Sequence, residues 1–463
     1  MGSEFTLNPV RELISRLRAR PVFGRLVGNK MVLAVVLLVF SVAGASALGQ
    51  EAESYPQART LKGLQVQMVG DALELGIGQA ALNFNFGQLI APEGDGLGDE
   101  RLIRVKRGER EFAFHRAYLE QMDATIRPLS DRGVVVSLIL LNYVPADAER
   151  RRILVHPSYA DECPNRLAAF NTRTEEGRAW LEAACELLAQ RWGASGGSQG
   201  RVWNWIVGNE VNSHWFWSNQ GRVGMREFAN DYLDAVRLVH RAVHRHSPQG
   251  RVFVSLEHHW NIRYPGGDEF QAFPAREFLE YFAARTREQG DFDWHIAFHP
   301  YPENLFEPRT WLDQSATDDW RTTPRITFRN LEVLLEFLQR PELKFGDESR
   351  RVILSEQGFH TPDGADGEQL QAAAYCYAWK KVQSLKGIDA FILHRHVDHA
   401  HEGGLRLGLW TRRMESVAEP ERKKLIHEIF RAAGTDGEER AFLFALPIIG
   451  VKDWHELAPV PGR

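Results

Sequence analysis

Val202-Trp203-Asn204-Trp205-Ile206-Val207-Gly208-Asn209-Glu210 is one of two matched runs in the chain, and Val352-Ile353-Leu354-Ser355-Glu356-Gln357-Gly358 is the other. Each is short, rich in β-branched or aromatic residues, and passes straight into turn chemistry. That pattern belongs to a buried parallel strand, which hands a polar side chain to one edge of a sheet. A single strand-end glutamate is as readily a salt-bridged or solvated carboxylate as a reactive one. Two of them in one repeating series point to a shared pocket, because the strand C-termini of an α/β barrel converge on one face.

The series extends in both directions. Helical spacing of apolar residues marks 68–75, 115–131, 174–192, 225–246, 274–289, 326–338, 369–384 and 421–432. Strand-like segments at 64–67, 79–85, 134–141, the run into Glu210, 252–256, 294–298, 352–355 and 388–393 alternate with them. Thr174 stands where an N-cap belongs and Gly133 where a helix should stop. Strands separated by helices imply parallel pairing, and eight such units predict an α/β fold closed as a (β/α)8 TIM barrel. The first strand is the weakest. The alternative, an open doubly wound sheet, would show a Gly-rich phosphate turn early in the chain, and there is none. Residues 94–108, charged and glycine-rich, read as an insertion, and 143–173 and 301–325 as long loops that shape the cleft.

The 463 residues are 44% apolar and 25% charged, with 13 Trp and 26 Phe, which suits a large core and also sugar-stacking platforms. The formal net charge is −5 and no basic face gathers, which argues against nucleic acid as a partner. Basic residues do gather at the N-terminus, from Arg11 and Arg16 to Arg25 and Lys30, ahead of an uncharged stretch over 31–48 that contains Ala45-Ser46-Ala47. This reads as an export signal cleaved after Ala47. A transmembrane anchor over 31–48 and a buried N-terminal helix are the alternatives. The expected organisation is residues 1–47 as signal peptide or membrane anchor and 48–463 as one catalytic domain. It is exported to the periplasm or beyond, with membrane association only through the N-terminal segment. Without 1–47, 50 basic residues face 59 acidic ones. Cys163, Cys185 and Cys376 allow one disulfide and offer no zinc-type spacing.

With Asn209-Glu210 ending the fourth strand and Glu356 the seventh, the chain resembles clan A of the glycoside hydrolases. Gly63-Leu64-Gln65-Val66-Gln67, Leu256-Glu257-His258-His259-Trp260-Asn261 and Phe298-His299-Pro300-Tyr301-Pro302 are similar to an uncharacterised bacterial family assigned to that clan. The resemblance implies a retaining enzyme acting on an oligo- or polysaccharide. Glu356 would be the nucleophile, Glu210 the acid/base, Asn209 the partner of the sugar 2-hydroxyl, and either His299 or Tyr301 the residue that orients the nucleophile. No cofactor and no metal is needed. The chemistry is coherent, since glycosidic cleavage by retention uses two carboxyls, one of which must hold a proton near neutral pH. Trp203, Trp205, Trp215 and Trp217 are the candidates to desolvate Glu210. His258, His259 and Trp260 end the fifth strand, with one of the two histidines structural. Asn83, Asn85 and Asn142 end the second and third, where amides suit hydroxyl recognition. The eighth strand ends in His394-Arg395-His396 where the clan often has Trp, and Trp410 offers a stacking face instead.

Two other readings stand beside this one. His394, His396, Asp398, His399, His401 and Glu402 form a histidine-rich loop suited to a metal-dependent hydrolase, and the barrel could bind saccharide without turnover. Asp293 and Asp389 are further acids near strand ends, and Glu257 reads as a buried partner for Arg or His. No Ser-His-Asp order, nucleophile elbow or P-loop is present, and Cys376 lies mid-helix. These residues do not fix the sugar, the linkage, internal or terminal cleavage, or hydrolysis against transglycosylation.

Overall fold

The computed structural model describes residues 54–92, 98–193 and 197–457. Eight strands carry the sheet: β1 (Lys62–Gln65), β2 (Gln79–Asn85), β3 (Val135–Leu141), β4 (Asn204–Val207), β5 (Arg251–Glu257), β6 (Trp294–His299), β7 (Val352–Gln357) and β8 (Ile388–Leu393). Each pairs in parallel with its neighbours in sequence, and β8 returns to β1 through Leu64 opposite Leu393, which closes the barrel. Helices such as Arg116–Ser130, Glu175–Leu188, Met225–His246 and Gly367–Gln383 fill the connections. The architecture is the (β/α)8 TIM barrel.

Two-residue alternation sorts the side chains. Ala81, Ile139, Ile206, Phe253, Ala297, Ile353 and Ile392, one from each of β2 to β8, fill the interior, while Ala80, Leu82 and Phe84 face the outer helices. On β1 the inward position is Gly63, where a Cβ would stand 2.8 Å from both Gln79 Cβ and Ile392 Cγ1. The first strand reads weakly in sequence because the space at closure admits no side chain. It also begins at Lys62 rather than Leu64. The buried ammonium of Lys62 donates to the carbonyls of Phe430, Arg431 and Ala433 at the end of helix Leu425–Ala432, and burial lowers its pKa to about 8.

Several expectations need correction. The insertion is an antiparallel hairpin, Leu102–Arg107 against Arg110–His115, with residues 93–97 outside the described ones. Residues 421–423 are not helical, because Pro420–Lys423 pairs antiparallel with Trp410–Arg412. All three cysteines are free and buried, so no disulfide forms. The expectation of a membrane anchor is also corrected: no helix among the described residues is long and apolar enough to cross a membrane. The export signal and the anchor over 31–48 both lie outside the described residues.

Candidate active site

β4 stops at Val207, and Glu210 stands three residues further on, in a turn rather than on the strand. Gly208 (φ +73) and Glu210 (φ +40) both take positive φ. For a glutamate this left-handed backbone costs about 1–3 kcal/mol and needs support from its surroundings. Ser255 on β5 accepts the Glu210 N–H at 3.0 Å, and the Glu210 carbonyl accepts from Ser213 N–H at 2.8 Å. The bent backbone carries the carboxyl to His299 at the end of β6, whose Nδ1 lies 2.9 Å from Glu210 Oε1 and whose Nε2 lies 3.0 Å from Ser355 Oγ.

Glu356 reaches the same point by another irregularity. Leu354 pairs with Phe391 and Gln357 with Leu393, so Ser355 and Glu356 together oppose the single residue Ile392. This bulge breaks the alternation that would otherwise send Ser355 and Glu356 to opposite faces. Tyr301 O–H donates to Glu356 Oε1 at 3.2 Å and Gln65 Nε2 donates to Oε2 at 3.1 Å. His299 thus touches Glu210, and Tyr301 touches Glu356. One ligand atom each from Glu210, His299 and Glu356 lie within 4.8 Å of one another.

The two carboxyls are held in opposite electrostatic states. Burial raises the Glu210 pKa above the usual carboxylate range, and the nearby Glu356 charge adds to this, against the lowering effect of His299. Burial would push Glu356 up as well, but the charges of His394 and His299 and the Gln65 hydrogen bond outweigh it and hold Glu356 below its ordinary value. His299 is pulled down by burial and lifted further by the Glu210 contact and the surrounding carboxylates, so it ends above its ordinary value.

The remaining candidates divide. Asn209 is half-buried, and its amide has no hydrogen-bond partner among the described residues; Asn83 is exposed. Asn85 caps a short helix by accepting from Gly87 N–H. Asn142 is buried, and its amide nitrogen donates to the carbonyls of Leu154 and Ala169, so it ties down the loop after β3. Trp260 is fully buried, donates to the Trp320 carbonyl and meets Phe337 edge-on; it is core, not a stacking platform. His259 is the structural histidine of its pair, 2.5 Å from Glu257 through Nδ1. His258 stacks on it, and burial lowers its pKa to about 3. Glu257 accepts from Asn212, Ser213 and the His259 N–H, which pins the turn after Glu210.

His396 is buried, accepts from the N–H of Gln67 and Met68, and contacts Asp71. Trp410 donates to the same Asp71 at 3.0 Å. Both hold the β1 connection rather than presenting free polar groups. Trp205 lies in the outer core and Trp203 packs on Tyr55, while Trp217 packs on the barrel interior. Asp389 is an ion-pair partner of Arg251 and Arg351. Sequence reading missed Gln65, Ser355 and Tyr143. Gln65 ends β1, where its position alone was a signal; Tyr143 keeps part of its side chain at the surface, while desolvation of its hydroxyl and the charge of Glu356 raise its pKa.

The histidine-rich loop does not converge on a point. His394 faces Gln65 and Glu402, His396 faces Asp71, and Asp398 holds Lys424 and Gly408 N–H. Among the described residues two other groups have metal-compatible spacing, Glu257 with His258 and His259, and Glu210 with His299 and Glu356. In the first Glu257 is already spent on protein donors, and in the second both ring nitrogens of His299 are engaged.

Fold and site together define a (β/α)8 barrel with two glutamates meeting at the C-terminal mouth of its fourth and seventh strands. Over residues 54–457 the sequence matches DUF5722, a family of unknown function, and the chain belongs to that family. Among solved structures it is similar to a hyperthermophilic β-glucosidase from Pyrococcus furiosus, at 16% identity and TM-score 0.53 over 82% of this chain and 86% of that one. It is also similar to a family 39 glycoside hydrolase from Bacteroides cellulosilyticus WH2, at 14% identity and TM-score 0.51. That match covers 83% of this chain and 66%, just under two thirds, of the other. Both are likenesses of fold. No curated protein matches the chain.

Proposed function

We propose that this protein is a retaining glycoside hydrolase. The observation that carries the reading is the meeting of Glu210 and Glu356 within 4.8 Å, the first with its pKa raised by burial and the second with its pKa lowered by its neighbours. Retention uses carboxyls roughly 5–5.5 Å apart, whereas inversion leaves room for a water between them. Glu356 attacks the anomeric carbon and the glycosidic C–O bond breaks, while the Glu210 proton passes to the departing oxygen. An ester between Glu356 and the sugar results. Glu210, now a carboxylate, takes a proton from water as that water attacks the anomeric carbon and returns Glu356 to its ionised form. A sugar hydroxyl in place of water gives transglycosylation by the same path.

Tyr301 orients Glu356, and His299 serves Glu210 and Ser355. The unpartnered amide of Asn209 suits the sugar 2-hydroxyl, where contacts strengthen in the transition state. Exposed Asn83 suits hydroxyls further out in the mouth. The substrate class is a saccharide with an O-glycosidic bond. The test is product release from a panel of polysaccharides and aryl glycosides, with wild type beside Glu356→Gln and each with and without chelator. Release that disappears in the variant and ignores chelator supports the reading; release that survives the variant removes Glu356 from the chemistry.

A further inference from the structure

Behind Glu356 stands a chain of polar contacts that the two-glutamate mechanism does not itself require. Gln65 Nε2 donates to Glu356 Oε2 at 3.1 Å, and Gln65 Oε1 lies 2.6 Å from His394 Nδ1. A carboxylate only accepts, so Gln65 must present its NH2 to Glu356 and its oxygen to His394. An amide oxygen also only accepts, so His394 Nδ1 carries a hydrogen. The other ring nitrogen, Nε2, faces both carboxylate oxygens of Glu402 at 3.4 Å, and Glu402 is in turn paired with Arg395. His394 is therefore a donor at Nδ1 with a carboxylate partner at its far side.

Resting on the assignment of Glu356 as nucleophile, we propose that Gln65 and His394 are positioning residues. They fix the rotamer of the Glu356 carboxylate and stabilise its charge, with Glu402 holding the His394 ring in place. The groups facing Glu356 come from every side of the barrel mouth. Gln65 stands on β1, Tyr143 after β3, Glu210 after β4, and His299 and Tyr301 on and after β6. His394, Arg395 and Glu402 follow β8. Tyr143 and Tyr301 both have pKa values raised above the ordinary phenol range, so they enter as neutral hydrogen-bonding groups. Arg395 is neutralised by Glu402. The groups left to act on Glu356 are His299, already shared with Glu210, and His394, which reaches it through the Gln65 amide. Glu402 itself, though burial opposes it, is held at a pKa of about 2 by His394 and Arg395, so it remains an anion behind the ring at any working pH.

The contact explains a feature of the sequence, the histidine at a strand end where stacking would be expected. His394 is not free to meet a sugar, because both of its ring nitrogens are turned to the protein.

The test reads Glu356 directly. The full-length protein, labelled with 13C at the glutamate side-chain carboxyl, is titrated by NMR, and the Glu356 signal is assigned by its loss in Glu356→Gln. His394→Asn should move the Glu356 midpoint upward by about 1 in pH. Gln65→Met, which keeps the volume and removes the hydrogen bond, should move it the same way by less. A Glu356 midpoint unchanged in both folded His394→Asn and Gln65→Met overturns the proposal. The same samples are assayed for Glu356-dependent sugar release. A shifted midpoint in a protein with no such release overturns the glycosidase reading and leaves the positioning of Glu356 by Gln65 and His394 supported.

Discussion

His299 Nδ1 lies 2.9 Å from Glu210 Oε1, and both groups are held above their ordinary pKa values. The proton in that contact belongs to the pair. Under the proposed mechanism, loss of this proton should set the basic limb of activity and protonation of Glu356 the acid limb. His299 lowers the pKa of both glutamates. His299→Gln should therefore move both limbs of the kcat/KM profile to higher pH while reducing the maximum by roughly 10- to 1000-fold. Limbs that stay in place in an active variant contradict this account of the pair.

Glu210 should weaken the fold it serves. Its raised pKa means that neutral Glu210 is tolerated and the buried anion is not, so the cost appears as pH rises through that raised value. Glu210→Gln should equal wild type in stability at low pH and exceed it above neutrality by a few degrees in Tm. In activity it should lose most on substrates with poor leaving groups and least on activated aryl glycosides. Thermal melts across pH, paired with a leaving-group series, check both halves.

Glu257 should behave in the opposite sense. Burial opposes its charge, but His259 and the surrounding donors hold its pKa down to about 2, so it stabilises the fold above the ordinary carboxylate value and loses that contribution as pH falls toward 2. Glu257→Gln should cost on the order of 3 kcal/mol at neutral pH, a gap that narrows in acid. Because Glu257 pins Asn212 and Ser213 behind the bent Glu210 backbone, activity should fall with it. Denaturant titrations at pH 7 and pH 3 measure the difference.

Prolonged dialysis against a strong chelator should leave turnover unchanged, because the histidine-rich loop turns its ligands to separate protein partners. Activity lost to chelator and restored by one divalent ion would move the chemistry to a metal.

Barrel closure is sensitive at Gly63, where a Cβ would meet Gln79 and Ile392 at 2.8 Å. Gly63→Ala should destabilise by about 1–3 kcal/mol, measured by urea unfolding.

What the sequence made legible follows the physics of each element. The bounds of β2 and β8 could be read directly because glycines stand just ahead of each, Gly76 and Gly78 before β2 and Gly387 before β8. The two glutamates were visible because a polar residue closing a buried strand is conspicuous. Gly63 hid the first strand, since closure removed the side chain that would have marked it. The bulge that brings Ser355 and Glu356 to one side depends on pairing with β8 and leaves no local trace. Trp260 and Asn142 look like ligand groups because aromatic and amide side chains serve cores and loops equally well. Only partners distant in the chain, such as Trp320 for Trp260, separate the two uses. His396 and His394 are two residues apart yet face Asp71 and Gln65 respectively, a divergence that composition conceals.

The most direct measurement is azide rescue of Glu356→Ala on an activated aryl glycoside that the wild type cleaves. The expected result is a loss of several orders of magnitude in rate, partly restored by azide, with a glycosyl azide formed in the anomeric configuration opposite to the substrate. Full activity in Glu356→Ala without azide would contradict the assignment of Glu356 as the nucleophile.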